Sequence, residues 1–333
     1  MSQSLSTDEI YMQRAISLAR CGAGLTYPNP MVGAVIVRNN QIIGEGYHIK
    51  AGTGHAEVNA INSVTNKSLL KESTIYVSLE PCSHYGKTPP CSKLIIEMGI
   101  PRVVVGCIDS FSEVSGRGIR MLREAGISVT VGVLEEECRK LNKRFFTFHE
   151  KKRPYIILKW AQSADGFIDS HRKATDPFPW LSNDTCRCLV HKQRATEQAI
   201  LVGANTIRRD NPSLTTRYWA GANPIRFVVS ESGKISADAT ILTDGLPTHL
   251  ISGKQTPQSI ANTIFQMGLQ SVIIEGGYSV LQSFINANLW DEAYIYHGNS
   301  ILGAGIDAPQ IDITHATLTN IDGCQLYHIQ RFV

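Results

Sequence analysis

Apolar positions in the first half of the chain fall alternately into short runs of strand length and longer stretches with helical spacing. The apolar segments 32–37 and 42–47 flank Asn39 and Asn40, and two such runs around a tight turn are typical of a β-hairpin. Elsewhere the pattern predicts strands at 74–79, 102–107 and 128–133 and helices at 11–21, 55–61, 92–98 and 118–125. Strands that alternate with helices at this spacing predict an α/β domain built in layers.

A change of pattern at residues 145–154 separates this region from a second one, because a charge cluster closed by a proline interrupts the alternation. We therefore expect two domains, at residues 1–149 and 150–333. The second half restarts with predicted strands at 155–160, 199–202, 225–229 and 271–274, a helix at 186–195 and another helix that begins near Ser279. This pattern predicts a second α/β domain.

Composition excludes several classes of protein. The 333 residues are 43% hydrophobic and 18% charged, which is typical of a globular chain and excludes intrinsic disorder for most of it. A net charge of +3 gives no reason to expect nucleic acid as an obligatory partner, but it leaves a phosphorylated small molecule open. No apolar stretch approaches the ~20 residues of a membrane span, and the first residues lack a signal-peptide pattern. We therefore expect a cytoplasmic protein whose eight cysteines are core residues or metal ligands, not disulfides.

Four residues of the first half have the spacing of a metal-dependent hydrolase. His55 and Glu57 stand at the start of a predicted helix. Cys82 follows a predicted strand, and Cys91 precedes another helix. One imidazole and two thiolates leave tetrahedral Zn²⁺ one position for a water that the metal activates, and Glu57 can shuttle the proton. The arrangement matches the H-x-E…P-C-x-x-C signature of zinc nucleobase deaminases, except that eight residues instead of two separate the cysteines.

Two less specific interpretations stay open for these residues. The cysteines and the histidine could be unrelated core residues, although the joint pattern argues against coincidence. Alternatively, His84 could complete a structural zinc site with four protein ligands, which would leave no position for water.

The segments HAEVNA, EPCSHYGKTPPC, YPNPMVGAVIV and GEGYH resemble the deaminase half of the bifunctional riboflavin biosynthesis deaminase–reductases. The long insert between the cysteines is specific to that family among proteins with the cytidine deaminase-like fold. The resemblance implies a three-layer α/β/α domain that acts on 2,5-diamino-6-ribosylamino-4(3H)-pyrimidinone 5′-phosphate. It also implies that His55, Cys82 and Cys91 bind zinc and that Glu57 is the catalytic proton donor.

By the same resemblance Asn29 and His48 line the pyrimidine pocket. Asn29 is equally compatible with a turn at an Asn-Pro step, and His48 with a solvated loop. Two departures from the family pattern concern the phosphate of the substrate. Lys87 stands where the family usually has Arg, which keeps the charge but loses bidentate geometry, and segment 109–116 lacks the usual Pro and Asn after its Asp.

The second half has no G-x-G-x-x-G motif after a predicted strand, so we do not expect a Rossmann dinucleotide site. It does contain SVIIEGG at 271–277, in which two glycines join a strand to a helix. Glycines let the backbone approach a pyrophosphate, and a helix N-terminus offers N–H donors to it. Alone this is a weak signal, because such turns are also common packing devices.

The second half also resembles the reductase half of the same family, through the segments RPY (153–155), SADG (163–166), NP (211–212) and EGG (275–277) among others. The resemblance implies a dihydrofolate reductase-like α/β fold and NADPH-dependent reduction of the ribosyl group to ribityl. For NADPH binding it implies Ala161, Trp180, Thr206, Asp210 and the turn of Gly277, Tyr278, Ser279, Val280, Leu281, Gln282 and Ser283. For substrate binding it implies Lys159, Arg194, Leu214, Arg217 and Glu275, of which the two arginines are suited to clamp the 5′-phosphate.

Some of these assignments have simpler alternatives. Trp180 could equally be a core residue. For proton transfer to the ring-opened sugar, two residues are candidates, Lys159 and Asp210. Phe178 and Pro179 stand where the family typically has small polar residues.

We therefore expect a bifunctional enzyme of riboflavin biosynthesis that uses zinc for deamination and NADPH for reduction. Its partner would be a small phosphorylated pyrimidine, with no nucleic acid and no membrane, and a homo-oligomer stays open. One alternative is a deaminase with a catalytically silent reductase-like domain. A second is a structural zinc module fused to a nucleotide- or RNA-binding regulator. An RNA-editing deaminase is disfavoured, because the chain lacks a basic composition and the short cysteine spacing.

Overall fold

The computed structural model describes residues 5–84, 89–110, 116–173, 176 and 179–331. The chain folds into two compact units, Met1–Lys152 and Arg153–Val333, which we call unit 1 and unit 2. None of the helices in the described ranges has the length and apolar character that crossing a membrane requires.

Unit 1 contains a five-stranded sheet. Its strands are β1 (Gly33–Arg38), β2 (Gln41–Tyr47), β3 (Thr74–Leu79), β4 (Arg102–Cys107) and β5 (Ser128–Val131). They lie in the order β2-β1-β3-β4-β5, with β1 antiparallel to both of its neighbours and β3, β4 and β5 parallel to one another. The described helices of this unit are α1 (Thr7–Ala19), α2 (Ala56–Ser63), α3 (Cys91–Glu97), α4 (Arg117–Glu124), α5 (Glu135–Leu141) and α6 (Lys143–Lys151). Two short 3₁₀ helices, Arg20–Gly22 and Lys67–Glu72, complete the described elements of unit 1.

Helices cover both faces of this sheet. Along β1, Ala34 and Ile36 pack into a core formed with α2, α3 and α4. Val35 and Val37 pack on the opposite face against α1, α5 and α6. Successive residues of a strand point to opposite faces, and a largely parallel sheet must be covered on both. The predicted three-layer α/β/α architecture is confirmed.

Local signals explain where two of the elements of unit 1 begin and turn. Helix α1 starts earlier than the predicted residue 11, because Ser6 and Glu9 form a capping box in which each side chain accepts the backbone N–H of the other. At the β1–β2 turn, Asn39 and Asn40 have φ angles of 50° and 59°. Two consecutive left-handed residues are what a tight two-residue hairpin requires, and asparagine tolerates that conformation well.

Unit 2 is built on an eight-stranded sheet in the order β10-β9-β8-β11-β6-β12-β15-β14. Its strands are β6 (Tyr155–Gln162), β8 (Ala199–Gly203), β9 (Ile225–Ser230), β10 (Thr248–Ser252), β11 (Ser271–Gly276), β12 (Glu292–His297), β14 (Thr317–Ile321) and β15 (Cys324–Gln330). All neighbours are parallel except at β12–β15 and β15–β14. A separate antiparallel pair consists of β7 (Phe167–Ser170) and β13 (Gly305–Asp307).

The helices of unit 2 also lie on both faces of its sheet. The described helices are α7 (Asp184–Thr196), α8 (Ala204–Asp210), α9 (Thr240–Thr243), α10 (Pro257–Gln266) and α11 (Tyr278–Asn286). Helices α10 and α11 pack on one face in the largest apolar cluster, and α8 and α9 pack with Ile200 and Val202 on the other. The predicted mixed α/β fold is confirmed for this unit as well.

The segment 145–154 is not an irregular linker. Helix α6 runs through it to Lys151, and the two units divide after Lys152. Phe145 and Phe146 are buried in the unit 1 core, while the charged residues of the same segment lie on the outer side of the helix or half-buried. Of the charged residues in this segment, Glu150 and Lys151 are exposed on α6, Lys152 follows the helix, and Arg153 belongs to unit 2, where it pairs with Asp291.

Candidate functional site

Three side chains with metal-binding atoms converge near the carboxyl end of β3. His55 is the N-cap residue of α2, Cys91 is the first residue of α3, and Cys82 lies shortly after β3. His55 Nδ1 lies 3.5 Å from Cys82 Sγ and 3.3 Å from Cys91 Sγ. The three donor atoms all lie within 4.8 Å of one another. The structure thus brings together the three residues that the sequence pattern selected.

These separations suit one tetrahedral zinc ion. Zinc bonds of about 2.3 Å to sulfur and about 2.0 Å to nitrogen place neighbouring donors about 3.5–3.8 Å apart. The distance of 3.5 Å between His55 and Cys82 falls in that range, and that between His55 and Cys91 is slightly shorter. His84 is exposed and does not belong to the cluster that the described residues form. Three protein donors therefore converge at this cluster among the described residues, and His84 is not a fourth one.

The surroundings of Cys82 favour its thiolate. Its sulfur accepts the backbone N–H of Cys91 at 3.3 Å, at the N-terminus of α3. The hydrogen bond with the Cys91 thiol, helped by the one with His55, lowers the pKa of Cys82 to about 4. The same bond and burial raise the pKa of Cys91, and the bond to Cys82 raises the pKa of His55 to about 9. The thiolate is the form in which cysteine binds metals, so one ligand is already prepared for the ion.

Glu57 lies in the first turn of α2, two positions after His55, and is 3% exposed. Burial, together with the negative charge of Cys82, raises the pKa of the Glu57 carboxyl to about 7. Its carboxyl group interacts with the thiol of Cys91 and is not one of the three clustered donors. A carboxyl group beside the ligands that is able to gain and lose a proton is what a hydrolytic proton transfer needs.

Asn29 and His48 lie next to this cluster and contact each other. Asn29 Nδ2 lies 3.1 Å from His48 Nε2, and His48 Nδ1 lies 3.1 Å from the carbonyl oxygen of Gly54. The ring of His48 stands edge-on to that of His55, with centroids 5.6 Å apart. His48 is only 3% exposed, so it is not a solvated loop residue, and burial lowers its pKa. A neutral His48 donates from Nδ1 to Gly54 and accepts from Asn29 at Nε2.

Glu80 is a residue of this region that the sequence reasoning missed. Its buried carboxylate accepts four backbone N–H groups, from Asp109, Gly116, Gly118 and Ile119, at 2.9–3.3 Å. The last two belong to the first turn of α4, where a negative charge also complements the helix dipole. Glu80 therefore ties the segment that leads to Cys82 to the start of α4. The predictions on Lys87 and on residues 111–115 of segment 109–116 lie outside the described residues.

A second polar cluster lies at the carboxyl end of β11 in unit 2. Arg194 of α7 donates to both carboxylate oxygens of Glu275, at 2.9 and 2.6 Å, and Lys159 Nζ of β6 lies 3.5 Å from the same carboxylate. Burial alone would raise the pKa of Glu275, but Arg194 and Lys159 hold it at about 2. Burial lowers the pKa of Lys159, although Glu275 opposes the shift. The cluster therefore carries a firmly ionised carboxylate between two cations.

His191 adjoins this cluster and was not selected from the sequence. It precedes Arg194 by one turn of α7, is 3% exposed, and accepts the backbone N–H of Arg217 at Nδ1 over 2.9 Å. Burial and the charges of Arg194 and Arg217 lower its pKa to about 4. The sequence gives no sign of this contact, because Arg217 lies 26 positions away from His191 along the chain. Arg217 itself is exposed, and its guanidinium contacts the hydroxyls of Ser213 and Thr215.

The glycine turn after β11 lies beside the turn after β8, because the two strands are neighbours. A Cβ atom placed on Gly277 would lie 3.5 Å from Oγ1 of Thr206 in α8. Tyr278 and Ser279 are exposed at the start of α11. The rest of the predicted turn is engaged elsewhere: Leu281 is buried in the core, Ser283 bonds to the carbonyl of Val280, and Gln282 bonds to Asn286 and Gln310.

The other residues of unit 2 that the sequence analysis selected do not belong to the cluster around Glu275. Trp180 is 65% exposed and packs its ring against the guanidinium of Arg187, so it is not a core residue. Asp210 forms an ion pair with Arg172. Leu214 is buried, and Ala161 is partly buried beside a small cluster of core residues. Phe178 lies outside the described residues.

Comparison with known families finds a match in each unit. Residues 5–107 match the family described as the cytidine and deoxycytidylate deaminase zinc-binding region. Residues 154–323 match the family described as the RibD C-terminal domain. The two matches divide between unit 1 and unit 2.

Curated relatives and solved structures match the chain over both units. The chain is 38% identical to riboflavin biosynthesis protein RibD of Aquifex aeolicus, with 92% of this chain and 91% of that one covered. It is 34% identical to RibD of Escherichia coli, with 89% of each covered. A crystal structure from Thermotoga maritima, described as a diaminohydroxyphosphoribosylaminopyrimidine deaminase/5-amino-6-(5-phosphoribosylamino)uracil reductase, superposes with a TM-score of 0.87. That structure is 36% identical, and 97% of this chain and 98% of that one are covered.

Proposed function

Since the chain belongs to the RibD family of bifunctional riboflavin biosynthesis deaminase–reductases, we propose that it carries out two consecutive reactions on one phosphorylated pyrimidine. Unit 1 removes the 2-amino group of 2,5-diamino-6-ribosylamino-4(3H)-pyrimidinone 5′-phosphate by zinc-dependent hydrolysis. Unit 2 then reduces the ribosyl group of the product to ribityl with NADPH. The convergence of His55, Cys82 and Cys91 beside Glu57 is the observation that carries this proposal.

In unit 1, His55, Cys82 and Cys91 hold the zinc ion, which activates water near neutral pH when bound. Glu57 would take one proton from the attacking water and pass it to the departing amino nitrogen, which leaves as ammonia. The second water proton ends on the ring nitrogen beside the new carbonyl, so the hydrolysis balances. Asn29 and His48 orient the pyrimidine next to the metal ligands. Their mutual hydrogen bond fixes the direction of both side chains before the substrate arrives.

In unit 2, the cluster of Glu275, Arg194 and Lys159 would bind the substrate, and NADPH would supply the hydride when bound. Reduction adds a hydride to C1′ of the ring-opened sugar and a proton to the adjoining nitrogen. We assign that proton to Lys159 rather than to Asp210, because Lys159 belongs to this cluster beside Glu275 whereas Asp210 pairs with Arg172. The backbone at Gly277, which is the N-cap of α11 and lies beside Thr206, would hold the pyrophosphate of the cofactor.

The two arginines differ in the roles that we assign to them. Arg194 donates two hydrogen bonds to Glu275 and one to the carbonyl of Thr215, and its side chain is 10% exposed. It therefore orients Glu275. Arg217 is exposed and contacts only hydroxyl groups in the bonds described above, so it is the residue that we assign to the 5′-phosphate.

Membership of this family argues against the alternatives from the sequence. The match of residues 154–323 to the RibD C-terminal domain favours a working reductase over a deaminase with a silent second half. The same family contains enzymes, which argues against a structural zinc module in a regulator. We also propose a cytoplasmic location and no nucleic-acid partner, in keeping with a net charge of only +3. Assembly into a homo-oligomer is compatible with the proposal.

Replacement of Glu57 by glutamine tests the hydrolytic half. The amide keeps the shape of the side chain but cannot carry the proton, so ammonia release should fall by about 10²–10⁴-fold. Zinc content, measured by metal analysis, should stay at the wild-type level. NADPH oxidation on the deaminated substrate should be unchanged and serves as the control in the same chain. Full deamination by Glu57→Gln would contradict the role that we assign to Glu57.

Removal of the metal separates the two halves in a second way. A strong zinc chelator should abolish ammonia release and leave NADPH oxidation on the deaminated substrate intact, because the metal-binding donors lie in unit 1. Added zinc should restore deamination. Deamination that survives complete removal of zinc would exclude the zinc-dependent mechanism.

A further inference from the structure

Asn142 makes an unusual pair of hydrogen bonds in unit 1. It lies between α5 and α6 and is 3% exposed. Its Oδ1 accepts the backbone N–H of Met31 at 2.8 Å, and its Nδ2 donates to the carbonyl oxygen of Met31, also at 2.8 Å. One amide side chain therefore satisfies both backbone groups of a single residue, as a neighbouring strand would.

The segment that Asn142 holds leads directly to the proposed pyrimidine pocket. Met31 is two positions after Asn29 and two before the start of β1. Asn29 in turn meets His48 Nε2 at 3.1 Å, and His48 stands edge-on to the metal-binding His55. On the Asn29 side, the backbone is held by its own N–H to the carbonyl of Thr26 at 2.8 Å. Between that turn and β1, the carbonyl of Val32 accepts the backbone N–H of His48 at 2.9 Å, and Asn142 pairs with both backbone groups of Met31.

We propose that Asn142 is a positioning residue for deamination, which acts by holding the Met31 backbone so that the Asn29 side chain meets the substrate in a fixed direction. This inference rests on the proposed role of Asn29 in the pyrimidine pocket. Asn142 touches neither the metal-binding donors nor Glu57 in its described hydrogen bonds. Its effect should therefore concern substrate binding and not metal binding.

The test measures deamination by Asn142→Asp and Asn142→Ser at varied substrate concentration. Aspartate keeps the acceptor for the Met31 N–H but loses the donor, and serine is smaller and uncharged, so that one variant remains if the other folds poorly. Loss of one or two such bonds should raise KM about tenfold, with a smaller change in kcat. Asn62→Asp, an exposed position on α2, makes the same chemical change without a buried partner and should match the wild type.

Three further measurements distinguish positioning from a general structural role. Zinc content should be unchanged in both Asn142 variants, and a loss of zinc together with activity would overturn the proposal. Asn29→Ala should raise KM by itself. Because Asn142 acts through Asn29, the double variant Asn29→Ala/Asn142→Ser should be no worse than Asn29→Ala alone. Simple additivity of the two effects would overturn the proposal.

The outcomes also separate this inference from the proposed function. If Asn29→Ala raises KM while both Asn142 variants keep the wild-type value, the positioning role is wrong and the pocket assignment stands. If neither position affects KM, the assignment of Asn29 to the pocket fails and the inference fails with it. If both raise KM non-additively at full zinc content, the positioning role is supported.

Discussion

Replacement of Glu275 by glutamine is the sharpest test of the polar cluster in unit 2. The wild-type carboxylate receives two hydrogen bonds from Arg194 and lies 3.5 Å from Lys159. Glutamine keeps the size of the side chain and one acceptor, but it removes the charge that both cations face. Two buried or nearly buried cations are then left beside each other without a counter-charge.

The magnitude follows from the pKa of Glu275. A fall from 4.5 to about 2 corresponds to about 3 kcal/mol of preferential stabilisation of the charged form. The side chain is 7% exposed, so solvent screening reduces this value little. The figure agrees with the ~3–5 kcal/mol that breaking one side of a buried ion pair usually costs. For a domain of this size the melting temperature of unit 2 should fall by about 6–12 °C.

The pH dependence of the loss can be worked out from its sign. Because the pKa of Glu275 is lower in the folded protein, its contribution is fully present above pH 4.5 and is lost as the pH falls towards about 2. The stability difference between wild type and Glu275→Gln should therefore be constant near neutral pH and shrink in that acid window.

Hydrogen exchange of the β6 and β11 amides measures this difference within unit 2 and avoids assuming that the whole chain unfolds in one step. NADPH oxidation should be strongly reduced in Glu275→Gln, whereas ammonia release from unit 1 should be unchanged. Glu231→Gln, at an exposed position of the same unit, is the matched control. If Glu275→Gln were as stable at pH 7 as Glu231→Gln, the account of this ion pair would be refuted.

Two other substitutions test residues that hold the segments around each site. Arg226 is 1% exposed and donates to Asp244 and to several backbone carbonyls, including that of Ser213. Arg226→Met should therefore destabilise unit 2 by about 3 kcal/mol. An unchanged thermal transition would disprove this prediction. Glu80→Gln should weaken zinc binding in a competitive titration, because Glu80 anchors the segment before Cys82 to four backbone N–H groups. Zinc affinity equal to that of Glu124→Gln, on the exposed side of α4, would show that the anchor is dispensable.

The sequence predicted those elements of the fold whose signals are local. The strands at 74–79 and 102–107 coincide with β3 and β4, because each contains β-branched apolar residues and follows a residue, Ser73 or Pro101, that does not continue the apolar run. Strands β7, β10, β12, β13, β14 and β15 were not predicted. In β14 the side chains are almost all exposed, so its position in the sheet depends on pairing with β15 and not on an apolar run. Pairing of this kind is decided by tertiary contacts that local propensity does not contain.

The same division explains which parts of the two sites could be read from the sequence. His55, Glu57, Cys82 and Cys91 carry reactive atoms whose type and order along the chain already indicate zinc chemistry. Asn142 has no such signature, because its chemistry is an ordinary amide and its partner Met31 lies 111 positions away. Its importance appears only when the fold places α5 and α6 against the segment before β1. Residues with reactive side chains can thus be identified from the sequence pattern. Residues that orient them can be identified only from the contacts in the folded chain.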